Sequence, residues 1–225
     1  MQIDVKEAAR LLGVSENTIY RWTKRGDLPS SRINAIYRFN RAEILEWATA
    51  RRVGVSPDIF EGGGDGTGTL PTLEEAIRAG GINYRVPGST RNDVLEAIVR
   101  LMRLPEGVDR GHLLEVILAR ESLGSTGLGS GIAIPHVRNP IVLHIPRSLV
   151  TVCFLETAVE FGAIDGKPVH TLFTLVSPTV QAHLHLLSRL TFGLRLPQFR
   201  TVVEKQAARD ALLAGARAVD AAAQM

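Results

Sequence analysis

The nine residues Glu61-Gly62-Gly63-Gly64-Asp65-Gly66-Thr67-Gly68-Thr69 set the first limit on any fold of this chain. They carry no apolar side chain whose burial could offset the entropy of ordering the glycines, so the stretch is expected to be a flexible tether. The two sides should then fold separately and move independently. With 225 residues, 45% apolar and 22% charged, the chain has length for one or two domains. The expected division is residues 1–52, a tether over 53–72, and residues 73–225, with no internal repeat.

Charge is uneven across that division. Residues 1–52 hold ten lysines and arginines against six aspartates and glutamates, +4 net where the whole chain is only +3. A positive excess confined to one small unit suits a nucleic-acid partner. Ala8, Ala9 and Leu12 make residues 5–12 amphipathic, Gly13-Val14-Ser15 forms a turn, and Ser15 can cap a second helix over residues 16–25. Two helices joined by a short glycine turn are the helix-turn-helix arrangement, in which the second helix enters the major groove of double-stranded DNA. Asn17, Thr18, Tyr20 and Arg21 would meet base edges, whereas Lys24 and Arg25 are better placed for phosphates.

Leu28-Pro29 ends that helix, and residues 32–39 alternate around Asn34-Ala35 like a hairpin wing, with Arg38 a further candidate DNA contact. Asn40 can cap a closing helix whose Ile44, Leu45 and Trp47 supply core. Val5-Lys6-Glu7-Ala8-Ala9, Tyr20-Arg21-Trp22, Gly26-Asp27-Leu28-Pro29, Tyr37-Arg38-Phe39 and Ile44-Leu45-Glu46-Trp47 together resemble the excisionase/MerR-like winged helix-turn-helix family. The resemblance implies DNA binding and transcription regulation. A helix-turn-helix used to dock protein is the alternative. A single small winged unit on DNA implies a homodimer or help from a partner.

In the second part, Gly131-Ile132-Ala133-Ile134-Pro135-His136 presents one imidazole at the end of a short apolar run, beside a glycine-rich stretch over residues 124–131. A neutral imidazole is a nucleophile able to carry a phosphoryl group, and glycines let backbone N–H groups close around phosphate oxygens. The same glycines could be plain turn punctuation. Arg120 ends an apolar helical pattern through Leu113, Leu114, Ile117 and Leu118 with Asp109 as N-cap, and its planar fork could clamp a phosphate. A solvent ion pair of Arg120 with Glu121 or Glu115 is the bland alternative. His183 opens residues 183–190, which read as an amphipathic helix, and could hydrogen-bond the phosphate or the first imidazole.

Arg120, the run Gly124-Ser125-Thr126-Gly127-Leu128-Gly129, the segment ending at His136, and His183-Leu184 occur in this order. In that order they resemble the enzyme IIA domains of the bacterial phosphotransferase system, nearer the fructose/mannitol class and its nitrogen-regulatory relatives. The resemblance runs from Leu73 onward. It implies that His136 accepts a phosphoryl group from a phosphohistidine on an HPr-like carrier, that Arg120 and His183 assist, and that the phosphate passes to a IIB partner or serves as a regulatory mark. No cofactor is expected, and a zinc site built from His136, His170 and His183 finds no support in metal-ligand spacing. The chain has no apolar run near the roughly 18 residues needed to cross a bilayer and no signal pattern, so a cytoplasmic protein without a membrane partner is expected.

The expected fold is α/β, a mixed β-sheet flanked by helices on both faces, with the small winged unit attached. Strands are expected through Ile132 and over residues 148–155 and 170–176, a turn at Asp165-Gly166, and helices at 73–79, 90–102, 198–206 and 209–221. Thr72 with Glu75 should form a capping box. His136 at a strand end and His183 near a helix start would face each other across a cleft. His112, His144, His170 and His185 read as structural, and Cys153 as a small core residue. Two functions remain: a phosphorylatable regulator whose charge state alters the winged unit, or a soluble enzyme IIA for sugar uptake in which that unit docks protein.

Overall fold

Helix starts in the first unit follow from their capping side chains. Asp4 accepts the Glu7 N–H while the Glu7 carboxylate accepts the Asp4 N–H, which opens α1 (Val5–Leu12). Gly13 closes it at φ +61°, a conformation that costs glycine little. Ser15 accepts the Thr18 N–H and opens α2 (Glu16–Lys24), with Arg25 as its C-cap. The computed structural model describes residues 2–33, 36–40, 44, 47–48, 70–137 and 145–223, and the chain divides into two units, Met1–Thr67 and Gly68–Met225.

In the first unit β1 (Gln2–Ile3), β2 (Ser31–Ile33) and β3 (Ile36–Asn40) form an antiparallel sheet in the order β1-β3-β2. The β2–β3 pair is the expected wing, and its Ile33↔Ile36 register leaves two residues for the connection. β1 was not anticipated, because two residues carry no periodic signal. Ile44 and Ala48 are helical and fully buried, and Trp47 packs on Trp22 with ring centroids 5.0 Å apart. The Asn34-Ala35 turn, the helix start at residues 41–43 that Asn40 was expected to cap, Leu45, His144 and the glycine-rich stretch over residues 61–69 lie outside the described residues.

The second unit is the expected mixed α/β layer. Thr72 and Glu75 make the capping box of α3 (Leu73–Gly80), Thr90 caps α4 (Arg91–Leu101), and Asp109 caps α5 (Arg110–Ser122). The remaining helices are α6 (Val180–Gly193), α7 (Pro197–Glu204) and α8 (Arg209–Ala222). The strands are β4 (Ile82–Val86), β5 (Gly127–Gly129), β6 (Ile132–Ala133), β7 (Leu149–Val159) and β8 (Val169–Val176). Sheet order is β4-β7-β8-β6-β5, with β4/β7 and β6/β8 parallel and β7/β8 and β5/β6 antiparallel.

Both faces of this sheet are covered. On β7, Cys153 and Leu155 enter a core with Val94, Ile98 and Leu113 of α4 and α5, while Val150, Val152 and Phe154 enter a second core with Ile77, Leu186 and Phe199 of α3, α6 and α7. This is the period-two alternation of a strand buried on both sides. Burial pushes the Cys153 thiol up to about 12, so it stays protonated as a small core group. Asp220 of α8, itself buried, accepts the Leu73 and Glu74 N–H groups at 2.9 and 3.0 Å, which fastens the first turn of α3. No helix among the described residues is long and apolar enough to cross a membrane.

One glycine of the site segment is dictated by both conformation and space. Gly131 has φ +73°, and a Cβ there would lie 2.3 Å from the His170 ring. Gly131→Ala should therefore destabilise the unit by about 2 kcal/mol, the left-handed penalty plus displacement of that ring. Thermal unfolding checks it, and an unchanged midpoint would refute it.

Candidate functional site

The two histidines singled out by the sequence come together. Ile134, Pro135 and His136 continue past β6 beside β8: the Leu175 N–H donates to the Pro135 carbonyl at 3.1 Å, and His136 bridges Leu175 in parallel register. His183 stands in the first turn of α6, which Thr179 caps by accepting the Ala182 N–H. The His136 and His183 ring centroids are 5.4 Å apart with the planes inclined by 48°. Both rings are buried, 4% and 3% exposed.

A hydrogen bond fixes which nitrogen of His136 is basic. Nδ1 lies 2.8 Å from the Ile134 carbonyl oxygen, which can only accept, so the proton sits on Nδ1. Nε2 of the neutral ring then carries the lone pair, which makes it the nucleophilic atom.

Arg120 lies in the last turn of α5, and its Nη1 donates to the Gly124 carbonyl at 2.9 Å, so the guanidinium is tied to the start of the glycine-rich stretch. That stretch is mostly a hairpin rather than an open loop. Gly127 and Gly129 lie in β5, and Gly129, Ser130 and Gly131 turn the chain into β6 with positive φ. Its N–H groups are largely committed: Thr126 donates to Glu121, Gly127 to the Ser125 hydroxyl, and Ser130 to Asp165. The expectation that these amides cradle a phosphate therefore gives way to a structural role at Thr126, Gly127 and Ser130.

Glu121 was missed as a site-supporting residue. Its buried carboxylate accepts both the N–H and the hydroxyl of Thr126, the latter at 2.6 Å, with Arg91 at 3.9 Å. Sequence spacing gave no signal, because an acidic residue on a helix reads as solvent-facing by default. The helix of His183 also departs from expectation. Residues 182–188 are all buried, so it is not amphipathic over this stretch but enclosed by β8, α3 and α8.

His170, on β8, packs against Gly131 of the hairpin: its Nδ1 is 2.8 Å from the Thr171 hydroxyl, and burial pushes its pKa down. Burial, and then the positive charge of Arg189, push His185 down to about 4, against a raising contribution from a hydrogen bond with the Pro71 backbone. A lowered folded-state value means the unfolded chain binds the proton more readily, so stability is lost as pH falls from about 6.5 toward 4. Between pH 7.5 and 5 this one group should remove about 2 kcal/mol. Urea unfolding of the parent and of His185→Gln at both pH values checks it, the substitution being expected to flatten the slope.

In the first unit Asn17, Tyr20, Arg21 and Lys24 share one exposed face of α2, and Arg25 follows it, while Ile19 and Thr23 face inward. Thr18 is half-buried with its hydroxyl 3.0 Å from that of Ser15, so it serves the helix cap. The Tyr20 ring meets Tyr37 edge-on at 6.2 Å, which ties α2 to the wing strand bearing the half-buried Arg38.

Residues 75–215 match the family described as "Phosphoenolpyruvate-dependent sugar phosphotransferase system, EIIA 2", and the chain belongs to that family. Residues 3–52 match the family described as "Helix-turn-helix domain". The chain is 40% identical over 122 residues to the nitrogen regulatory protein of Pseudomonas aeruginosa, covering 52% of this chain and 77% of the relative. It is 40% identical over 106 residues to that of Escherichia coli K12, covering 46% and 64%. The crystal structure of nitrogen regulatory protein IIA-Ntr from Neisseria meningitidis superposes with a TM-score of 0.53 at 28% identity, over 60% of this chain and 92% of that one.

Proposed function

We propose that this protein is a phosphohistidine regulator: His136 accepts a phosphoryl group from an HPr-like carrier, and the charge it gains alters DNA binding by the winged unit. The observation that carries the reading is the 2.8 Å hydrogen bond from His136 Nδ1 to the Ile134 carbonyl, which leaves Nε2 as the lone-pair nitrogen. In the transfer, the P–N bond of the donor breaks as a P–N bond forms at Nε2. The Nδ1 proton stays on the ring and its bond to the carbonyl strengthens as the ring gains positive character. His183 steadies the phosphoryl oxygens, and Arg120 neutralises their charge from the edge of the glycine-rich stretch. Because His136 is only 4% exposed, its cover has to yield before another protein's histidine can reach it.

On this reading residues 1–52 bind double-stranded DNA through Asn17, Tyr20, Arg21, Lys24, Arg25 and Arg38, residues 53–72 tether them, and residues 73–225 receive phosphate and hand it to a IIB component or hold it as a mark. The nitrogen-regulatory relatives support regulation over sugar uptake. The test has two stages. The full chain is incubated with a phosphorylated HPr-type carrier, which should label it. Affinity for duplex DNA is then measured with and without the label across salt concentrations. A steep fall in affinity with rising salt, at a midpoint displaced by phosphorylation, is expected. No duplex binding at low salt would refute the DNA reading and favour a protein-docking unit.

A further inference from the structure

Among the described residues of the second unit, the buried hydroxyls Ser148 Oγ and Ser177 Oγ have no hydrogen-bond partner. They are 6% and 0% exposed. Other buried hydroxyls here are used: Thr126 donates to Glu121 and Thr151 to the Gly80 carbonyl. A polar group kept dry without a partner costs stability, and such groups call for an explanation.

Strand register places the two serines. Leu149 opposes Val176 across β7 and β8, so one step outward Ser148 opposes Ser177. His136 bridges Leu175, two residues before Ser177. Side chains alternate along a strand. Phe173 and Leu175, Val150 and Val152, and Ile132 and Ile134 all enter the core that contains α6, so Ser177, Ser148 and His136 point to that same side. On α6, His183 precedes Leu186, Leu187 and Leu190 of the same core by three, four and seven residues, which puts it on the helix face toward the sheet. Two hydroxyls and two imidazoles therefore converge at one end of one face. A third unpartnered hydroxyl, Thr174 Oγ1, lies between Leu172 and Val176, which enter the opposite core.

We propose that Ser148 and Ser177 are hydroxyl donors for the phosphoryl oxygens once His136 is phosphorylated, an inference that rests on the reading of His136 as phosphoryl acceptor. No bond is made or broken at either serine. Each Oγ–H donates to a charged non-bridging oxygen and keeps its proton. Hydrogen bonds to a charged acceptor in a dry site are the strong ones, so the serines' cost in the unphosphorylated chain is recovered as stability of the phosphorylated one.

The full chain and its Ser148→Ala, Ser177→Ala and Thr174→Val variants are labelled with phosphoramidate, a direct P–N donor. The half-life of the label and its ³¹P chemical shift are followed, and thermal unfolding is measured without label. Each serine variant is expected to shorten the half-life by about tenfold, the loss of one charge-assisted hydrogen bond, and to displace the ³¹P resonance. The unlabelled serine variants should unfold no earlier than the parent, since each loses an unsatisfied group. A merely structural role would lower that midpoint. Thr174→Val should leave half-life and shift alone. The inference is overturned if both serine variants keep the parent's half-life and shift, or if Thr174→Val changes them equally. A parent chain that takes no label at all would instead bring down the reading of His136 beneath it.

Discussion

His136→Ala is expected to take no label from a phosphorylated HPr-type carrier, while the parent chain is labelled with the acid lability of a P–N bond. The substitution removes the only atom to which the proposed reaction attaches phosphorus, so the loss should be complete rather than graded. His183→Ala provides the contrast. Its ring stands 5.4 Å from that of His136, and on the proposed function it would act only on charge in the transition state, so transfer should persist but slow by about 10²–10³-fold. Unfolding curves separate these outcomes from misfolding, since a variant that folds keeps a cooperative transition. An acid-labile label that survives in His136→Ala would move the acceptor elsewhere.

Phe173→Ala should be the costliest single change for the fold, destabilising the second unit by about 3–5 kcal/mol. Phe173 is fully buried on β8, the middle strand of the sheet, and its side chain enters the core formed with α3, α6, α7 and α8. Truncation loses the transfer free energy of the ring and leaves a cavity that two packed layers cannot collapse to fill. Urea denaturation should show a lower midpoint with an unchanged slope. Leu123→Ala, at a residue 71% exposed, should change stability by less than about 0.5 kcal/mol. Equal effects at the two positions would contradict the layered core described above.

What the sequence disclosed and what it hid divide along physical lines. The caps at Ser15, Thr72, Thr90 and Asp109 were legible or nearly so, because a helix start is a local event within four residues. The strands β7 and β8 were legible as apolar runs. β4 was not, since Tyr84 and Arg85 are exposed on an edge strand and Arg85 takes φ +55°, which breaks the alternation. β5 was hidden because Gly127 and Gly129 have no strand preference of their own, and their pairing depends on β6. At the site, the approach of His136 and His183 was anticipated from a strand end facing a helix start. Glu121, Ser148 and Ser177 were invisible, since their importance lies in burial and cross-strand register, which spacing does not encode.

The clasp of Asp220 on Leu73 and Glu74 joins residues 147 apart. At 5–20 residues per second, a ribosome needs on the order of 10 s between making the two ends of that clasp. Helix α3 is thus synthesised early yet can be pinned only after α8 has emerged, so the second unit should complete its folding after translation of residue 220. Until then, the winged unit is the part of the nascent polypeptide able to reach its native form.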